Sequence, residues 1–137
     1  MKRMKRMILL MLTVLIISAT AGCMETREKA PLSTPEIRSA IDTRNALVIL
    51  FFYEPSSGTS QEQLTILYNL TQNHAGSVIV LPYATDNPES FDAKEGYRVK
   101  TTPTTVVIDD EGYILKTFTR ITYENVFEEM IRQDAKE

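Results

Sequence analysis

Two unbroken apolar runs organise the chain. Leu47 to Tyr53 (LVILFFY) and Val78 to Leu81 (VIVL, in a strand predicted over Ser77 to Leu81) are rich in β-branched and aromatic residues and show no alternation with polar ones. That is the pattern of strands covered on both faces of a parallel sheet, and the longer run reads as the central strand. Ahead of it, Thr34-Pro35-Glu36 supplies a hydroxyl cap, a proline for the first helical position and an acid in the first turn, which predicts a helix to about Thr43. Between the runs, a loop from Glu54 to Thr59 leads to Ser60-Gln61-Glu62-Gln63, which has capping-box spacing. Leu64, Leu67, Tyr68 and Thr71 follow at helical intervals, and His74-Ala75-Gly76 closes the helix with a glycine.

The second half changes period. Asn87-Pro88-Glu89-Ser90 opens a short helix through about Glu95, and Gly96 breaks it. Thr104 to Ile108 is β-branched, Asp109-Asp110-Glu111-Gly112 has turn chemistry, and Tyr113 to Thr119 alternates, which together predict a hairpin. Residues 122 to 133 form a last amphipathic helix with Val126, Phe127, Met130 and Ile131 on its apolar side. The predicted order is helix, strand, helix, strand, helix, strand, strand, helix. A βαβ half joined to a ββα half gives an α/β fold with a mixed central sheet and helices on both faces.

The N-terminus follows a different logic. Lys2, Arg3, Lys5 and Arg6 precede an apolar stretch from Met7 to Ile17, and Ser18 to Gly22 are small. This is the layout of a secretory signal, with an apolar core short for a membrane span. The ending Thr20-Ala21-Gly22-Cys23 resembles a prokaryotic lipobox, although Thr20 departs from its usual leucine. The resemblance implies a signal peptide over 1–22 and diacylglycerol on Cys23, with the protein held at the extracytoplasmic face of the cell membrane. An uncleaved anchor helix with a buried cysteine is the alternative. Residues 24–33 are polar with one proline and read as a tether without a fold, so that the domains divide as 1–22, a lipidated tether 23–33, and a folded unit 34–137.

Charge and cysteine content narrow the chemistry. Four of the 15 basic residues lie before the apolar stretch and no acid does, so the chain from Cys23 onward carries 11 basic against 18 acidic residues. Such a surface repels phosphate backbones, and nucleic acid is not an expected partner. Cys23 is the single cysteine, so the folded unit has no internal disulfide and no thiol of its own. The one histidine, His74, stands at the far end of the helix that begins near Ser60, about 20 Å away at 1.5 Å per residue, too far to activate a serine there. No metal site and no cofactor is expected: Asp109, Asp110 and Glu111 read as solvated acids of a turn. Asn69-Leu70-Thr71 is a glycosylation sequon placed inside a predicted helix.

The order of elements, the turn from Glu54 to Ser60 after the first strand, and the stretch Asp86 to Ile114 with Thr102-Pro103 before the hairpin resemble the thioredoxin family. The resemblance covers about Thr34 to Gln133. It implies that Ser57 and Ser60 stand where the family has its two redox cysteines; a shift of one residue would pair Ser56 with Thr59 instead. No alignment supplies a sulfur. The family's buried proton-transfer acid falls on Phe51 and its lysine partner on Leu81. The resemblance further implies that Thr102 and Pro103 form the cis-proline element that pairs with an extended substrate segment, with Ser56 and Gly58 on the opposite lip. The expected protein is therefore a redox-inactive, thioredoxin-like binder of a protein or peptide partner. Two other functions stay open: an oxidoreductase relative by descent in extracytoplasmic redox homeostasis, and a structural subunit of an envelope complex.

Overall fold

The strand Leu47–Tyr53 (β1) is flanked on both sides: β2 (Val78–Ala84) runs parallel to it and β3 (Thr104–Ile108) antiparallel, and β4 (Ile114–Phe118) completes a sheet of order β2-β1-β3-β4. The structure, a computed structural model, describes residues 26–136. The expected signal peptide and Cys23 lie outside the described residues. Among the described residues no helix is long and apolar enough to cross a membrane.

Because β1 is interior, both of its faces are covered. Val48, Leu50 and Phe52 join Val106 and Ile108 beneath α1 (Pro35–Asp42), which contributes Ile37 and Ala40, and α3 (Phe91–Gly96), which contributes Ala93. Leu47, Ile49 and Phe51 join Val107 beneath α2 (Gly58–Asn73), through Leu67 and Leu70, and α4 (Glu124–Asp134), through Phe127. Each large side chain fully buried here contributes about 2 kcal/mol, so the two faces of this one strand dominate the stability of the fold.

β2 is an edge strand, half-buried instead of covered as its run suggests, and it extends past Leu81 through Pro82 to Ala84. The ladder bonds Leu47 N–H to Ser77 O and Thr85 N–H to Tyr53 O, both 2.9 Å, turn the odd-numbered residues of β2 toward β1. Pro82 therefore faces outward, where its missing N–H costs the ladder nothing and blunts the free edge.

Two expectations fail at the hairpin. Asp109 is not a solvated turn acid but buried: its Oδ1 accepts from Glu111 N–H (3.0 Å) and Tyr113 N–H (2.8 Å), and Gly112 closes the turn at φ +88°. Its other oxygen pairs with Arg27, whose guanidinium also lies 4.5 Å from the Tyr113 ring centre. The composition of 24–33 predicts no fold, yet from Arg27 to Pro31 the chain is laid along the hairpin. Ile114 N–H donates to Glu28 O (2.8 Å), Ala30 N–H donates to Gly112 O (2.9 Å), and Ala30 enters the core. A polar strand on a sheet edge needs only its backbone and one alanine to be held, and composition does not register that. The same segment is pinned from the other side. Gly96, where α3 ends, approaches Ser33 so closely that an added Cβ would stand 2.6 Å from the Ser33 Cβ, and the Tyr97 hydroxyl donates to Pro31 O (2.7 Å).

Burial, reinforced by the neighbouring Tyr83, raises the ionisation point of Tyr97, and burial likewise raises that of Tyr83, whose hydroxyl shares a hydrogen bond with Thr34 Oγ1 (3.2 Å). A raised folded-state value means that the unfolded chain loses these protons first. Their contribution is thus complete below the ordinary tyrosine range and is lost as pH rises through the folded values. Urea unfolding should show stability falling once the pH passes about 10. Tyr97→Phe should flatten that fall while lowering stability near neutrality by about 1 kcal/mol, through loss of the bond to Pro31.

Candidate functional site

One end of the sheet gathers the loops that the sequence singles out. β1 ends there, β3 begins there and β4 ends there, because β3 is antiparallel to both. The pairing ends at Phe52 with Thr104, so the chain leaving β1 through Tyr53 and Glu54 and the chain entering β3 through Thr102 and Pro103 lie at the same end of the sheet.

The first lip is the turn from Glu54. Ser57 N–H donates to Glu54 O (3.0 Å), Ser56 Oγ donates to Glu54 Oε1 (3.2 Å), and Gln61 Nε2 donates to Pro55 O (3.0 Å). Ser57, in extended backbone, is the N-cap of α2: its Oγ accepts from Ser60 N–H at 3.3 Å. The helix therefore starts a turn earlier than Ser60, and the capping box expected at Ser60 and Gln63 does not form. Capping-box spacing is also one helical turn, and here it marks a buried line. Ser60, Gln63, Leu67 and Leu70 all face inward, while Tyr68, expected on the apolar stripe, is 63% exposed. Ser60 Oγ accepts from Glu54 N–H (3.2 Å), tying the helix back to the end of β1. Ser56, Gly58 and Thr59 are exposed, and nothing lies within 4 Å of where a Gly58 Cβ would be, so glycine is not sterically required there.

The second lip is Thr101 to Pro103. The Thr102–Pro103 peptide is cis, Pro103 is buried, Thr102 is partly exposed, and Thr104 Oγ1 donates to Thr101 O (2.6 Å). Gln63, fully buried, joins the turn helix to the loop after β4: its Nε2 donates to Thr122 O (3.0 Å), and its Oε1 accepts from Thr122 N–H (2.6 Å). A polar residue on the line that continues to Leu67 and Leu70 is the signal that could have found it. A cleft of about 630 Å³ opens beside β2, walled by Tyr53, Tyr83, Pro82 and α1, and a hollow of about 370 Å³ lies between the end of β4 and α4.

Beneath the turn there is no ionisable pair. Phe51 is fully buried and stacks on Tyr53 at 5.4 Å. Leu81 lies on the other face of the sheet, with the Phe52 cluster, and register sets Pro82 abreast of Phe51. Leu81, the residue matched to the family's lysine, and Pro82, the one abreast of Phe51, are both apolar. His74 caps the opposite end of the 16-residue α2 and lies 3.3 Å from Glu128 Oε1, which keeps it away from every serine of the turn. Among the described residues no group of three or more His, Cys, Asp and Glu is placed to hold a metal ion. Asn69 is exposed on α2, but Leu70 is fully buried and Thr71 Oγ1 is engaged with Tyr68 O (2.7 Å).

Solved structures similar to this fold include several thioredoxins. A chloroplastic thioredoxin z superposes with a TM-score of 0.64 at 20% identity, covering 84% of this chain and 100% of that one. The chain has the thioredoxin fold. Mitochondrial thioredoxin 3 of Saccharomyces cerevisiae gives 0.57 at 22% identity over 72% of this chain and 87% of that one. A malaria-parasite thioredoxin-2, described as a component of that parasite's protein secretion machinery, gives 0.57 at 19% identity over 65% and 84%. No protein-family model matches the chain, and no curated protein matches it. On the thioredoxin fold, then, this chain presents three serine hydroxyls at the turn, those of Ser57 and Ser60 engaged with backbone amides and that of Ser56 with the Glu54 carboxylate, over an apolar floor.

Gln63→Leu should cost about 2 kcal/mol, since it strips Thr122 of both buried partners. Ser57→Ala should cost about 1 kcal/mol as a lost N-cap, and Ser56→Ala almost nothing. Urea unfolding of the three variants checks the order.

Proposed function

We propose that this is a lipid-anchored, extracytoplasmic protein of thioredoxin fold that holds an extended segment of a partner protein without thiol–disulfide exchange. The carrying observation is the chemical state of the turn. Ser57 Oγ accepts the Ser60 amide and Ser60 Oγ accepts the Glu54 amide, with no carboxylate or imidazole hydrogen-bonded to either and no sulfur in the turn. A serine hydroxyl is a much weaker acid than a thiol and forms no bond equivalent to a disulfide. The lipobox-like sequence ending at Cys23 supports acylation of the chain's one thiol, and two acyl chains would hold the protein durably where one would not.

What the site retains is a means of holding. Thr102 and the exposed residues Ser56, Gly58 and Thr59 lie at the same end of the sheet, where an extended segment can bond to backbone groups as strand addition does. The lips are held by the Ser57 cap and the Ser60–Glu54 bond on one side and by the Thr104–Thr101 bond on the other, so little is lost in ordering them on binding.

The test is a pull-down of the full-length protein from its own membranes in mild detergent, in parallel with Ser56→Lys and Thr102→Arg, each of which places a long cation on an exposed lip. A partner retained by the parent and lost from both variants is the expected outcome; partners indifferent to both would move the function away from this end. Alongside, dithiothreitol-driven insulin reduction should proceed at the buffer rate, and any acceleration would overturn the redox-inactive reading. A Cys23→Ser chain that still partitions with membranes would remove the lipid anchor.

A further inference from the structure

The hollow between β4 and α4 lies on the strand next to the cis-proline lip, since its Phe118 pairs with Thr105, two residues past Pro103. Its walls are Phe118, Ile121, Tyr123 and Val126, with Arg120 on its rim. Tyr123 is 62% exposed and Val126, expected on the buried side of the last helix, is 37% exposed, so apolar surface is left open here although Phe127 beside it is fully buried. The hollow is also shaped in advance. Thr122, in the middle of its lining, is locked to Gln63 by two hydrogen bonds, and Phe118 packs edge-on against Phe127 at 5.9 Å.

Charge distinguishes what fits. From Cys23 onward acids outnumber bases 18 to 11, yet Arg120 on this rim and Lys100, three residues before Pro103, are exposed cations that form no ion pair among the described residues. The opposite lip carries Glu54. A segment crossing the groove therefore meets positive charge on the Pro103 and β4 side and negative charge on the turn side. In an extended chain, side chains two residues apart point the same way. We infer that the partner segment carries a large apolar side chain, of the size of leucine, methionine or phenylalanine, with a carboxylate two residues from it: the apolar group fills the hollow and the carboxylate meets Arg120. This rests on the groove reading above and specifies its ligand.

The experiment is selection of a displayed random decapeptide library on the full-length protein in detergent, with Arg120→Glu, Arg120→Lys, Val126→Glu and Thr102→Arg in parallel. The parent and Arg120→Lys should enrich an acid two residues from a large apolar residue. Arg120→Glu should replace the acid by a base, and Val126→Glu should lose the apolar preference. The best parental peptide should bind both Glu variants about tenfold more weakly, the size expected when an exposed attraction is turned into a repulsion. Both positions are exposed, and unchanged thermal unfolding of the variants confirms that they fold. If Thr102→Arg abolishes enrichment while Arg120→Glu and Val126→Glu leave the selected residues unchanged, the groove stands and this assignment falls. If the parent enriches nothing over a detergent blank, both fall.

Discussion

Everything in this molecule hangs on a strand that cannot be exposed on either side. Six of the seven residues of β1 are buried, and their side chains alternate between two separate cores, one under α1 and α3 and one under α2 and α4. A register slip of one residue would exchange the two sets, placing Phe52 where Phe51 packs and shifting both helical layers at once. The pairing with β2 and β3 is thereby fixed, and with it the end of the sheet at which Glu54 leaves β1 and Thr102 leads into β3. The candidate site is positioned by core packing before any of its own residues contribute.

The polar residues at that end connect elements. On the inward line of α2, the two positions nearest the site are Ser60 and Gln63, and the two farther along are Leu67 and Leu70. The apolar pair secures the helix to the sheet. The polar pair secures two loops: Ser60 ties the turn to the end of β1, and Gln63 ties it to the loop after β4. A serine that accepts a buried amide is a structural part, and exchanging it for a nucleophile would leave the Glu54 amide to find another acceptor.

Much of this was legible in the sequence, and the gaps have definite causes. LVILFFY announces an interior strand because seven apolar residues without alternation fit few other environments, and the D-D-E-G turn announces a hairpin. The start of α2 was not legible, since a three-residue interval serves equally as a capping box and as one turn of a buried face; only the placement of Ser57 ahead of Gly58 decides. Which residue of β2 stands abreast of Phe51 was not legible either, because facing across a parallel pair depends on register, which no single strand contains. Arg27 to Pro31 was missed for a related reason: its hold on the domain comes from backbone bonds to Gly112 and Ile114 and from a buried carboxylate 82 residues away.

The fold and the chemistry separate cleanly at this site. The fold has the interior strand, the turn into α2 and the cis peptide that leads into β3 at the same end of the sheet, set by apolar packing and backbone hydrogen bonds. Thiol chemistry would need in addition a sulfur at the helix N-terminus and a route for its proton. The floor beneath the turn is Phe51 stacked on Tyr53, with Pro82 abreast, and it offers no proton acceptor. Apolar residues at those positions raise the packing of the core beneath the lips, while the lips keep their exposed hydroxyls and backbone. On the reading proposed above, that firmness suits a surface that holds a partner segment without changing it.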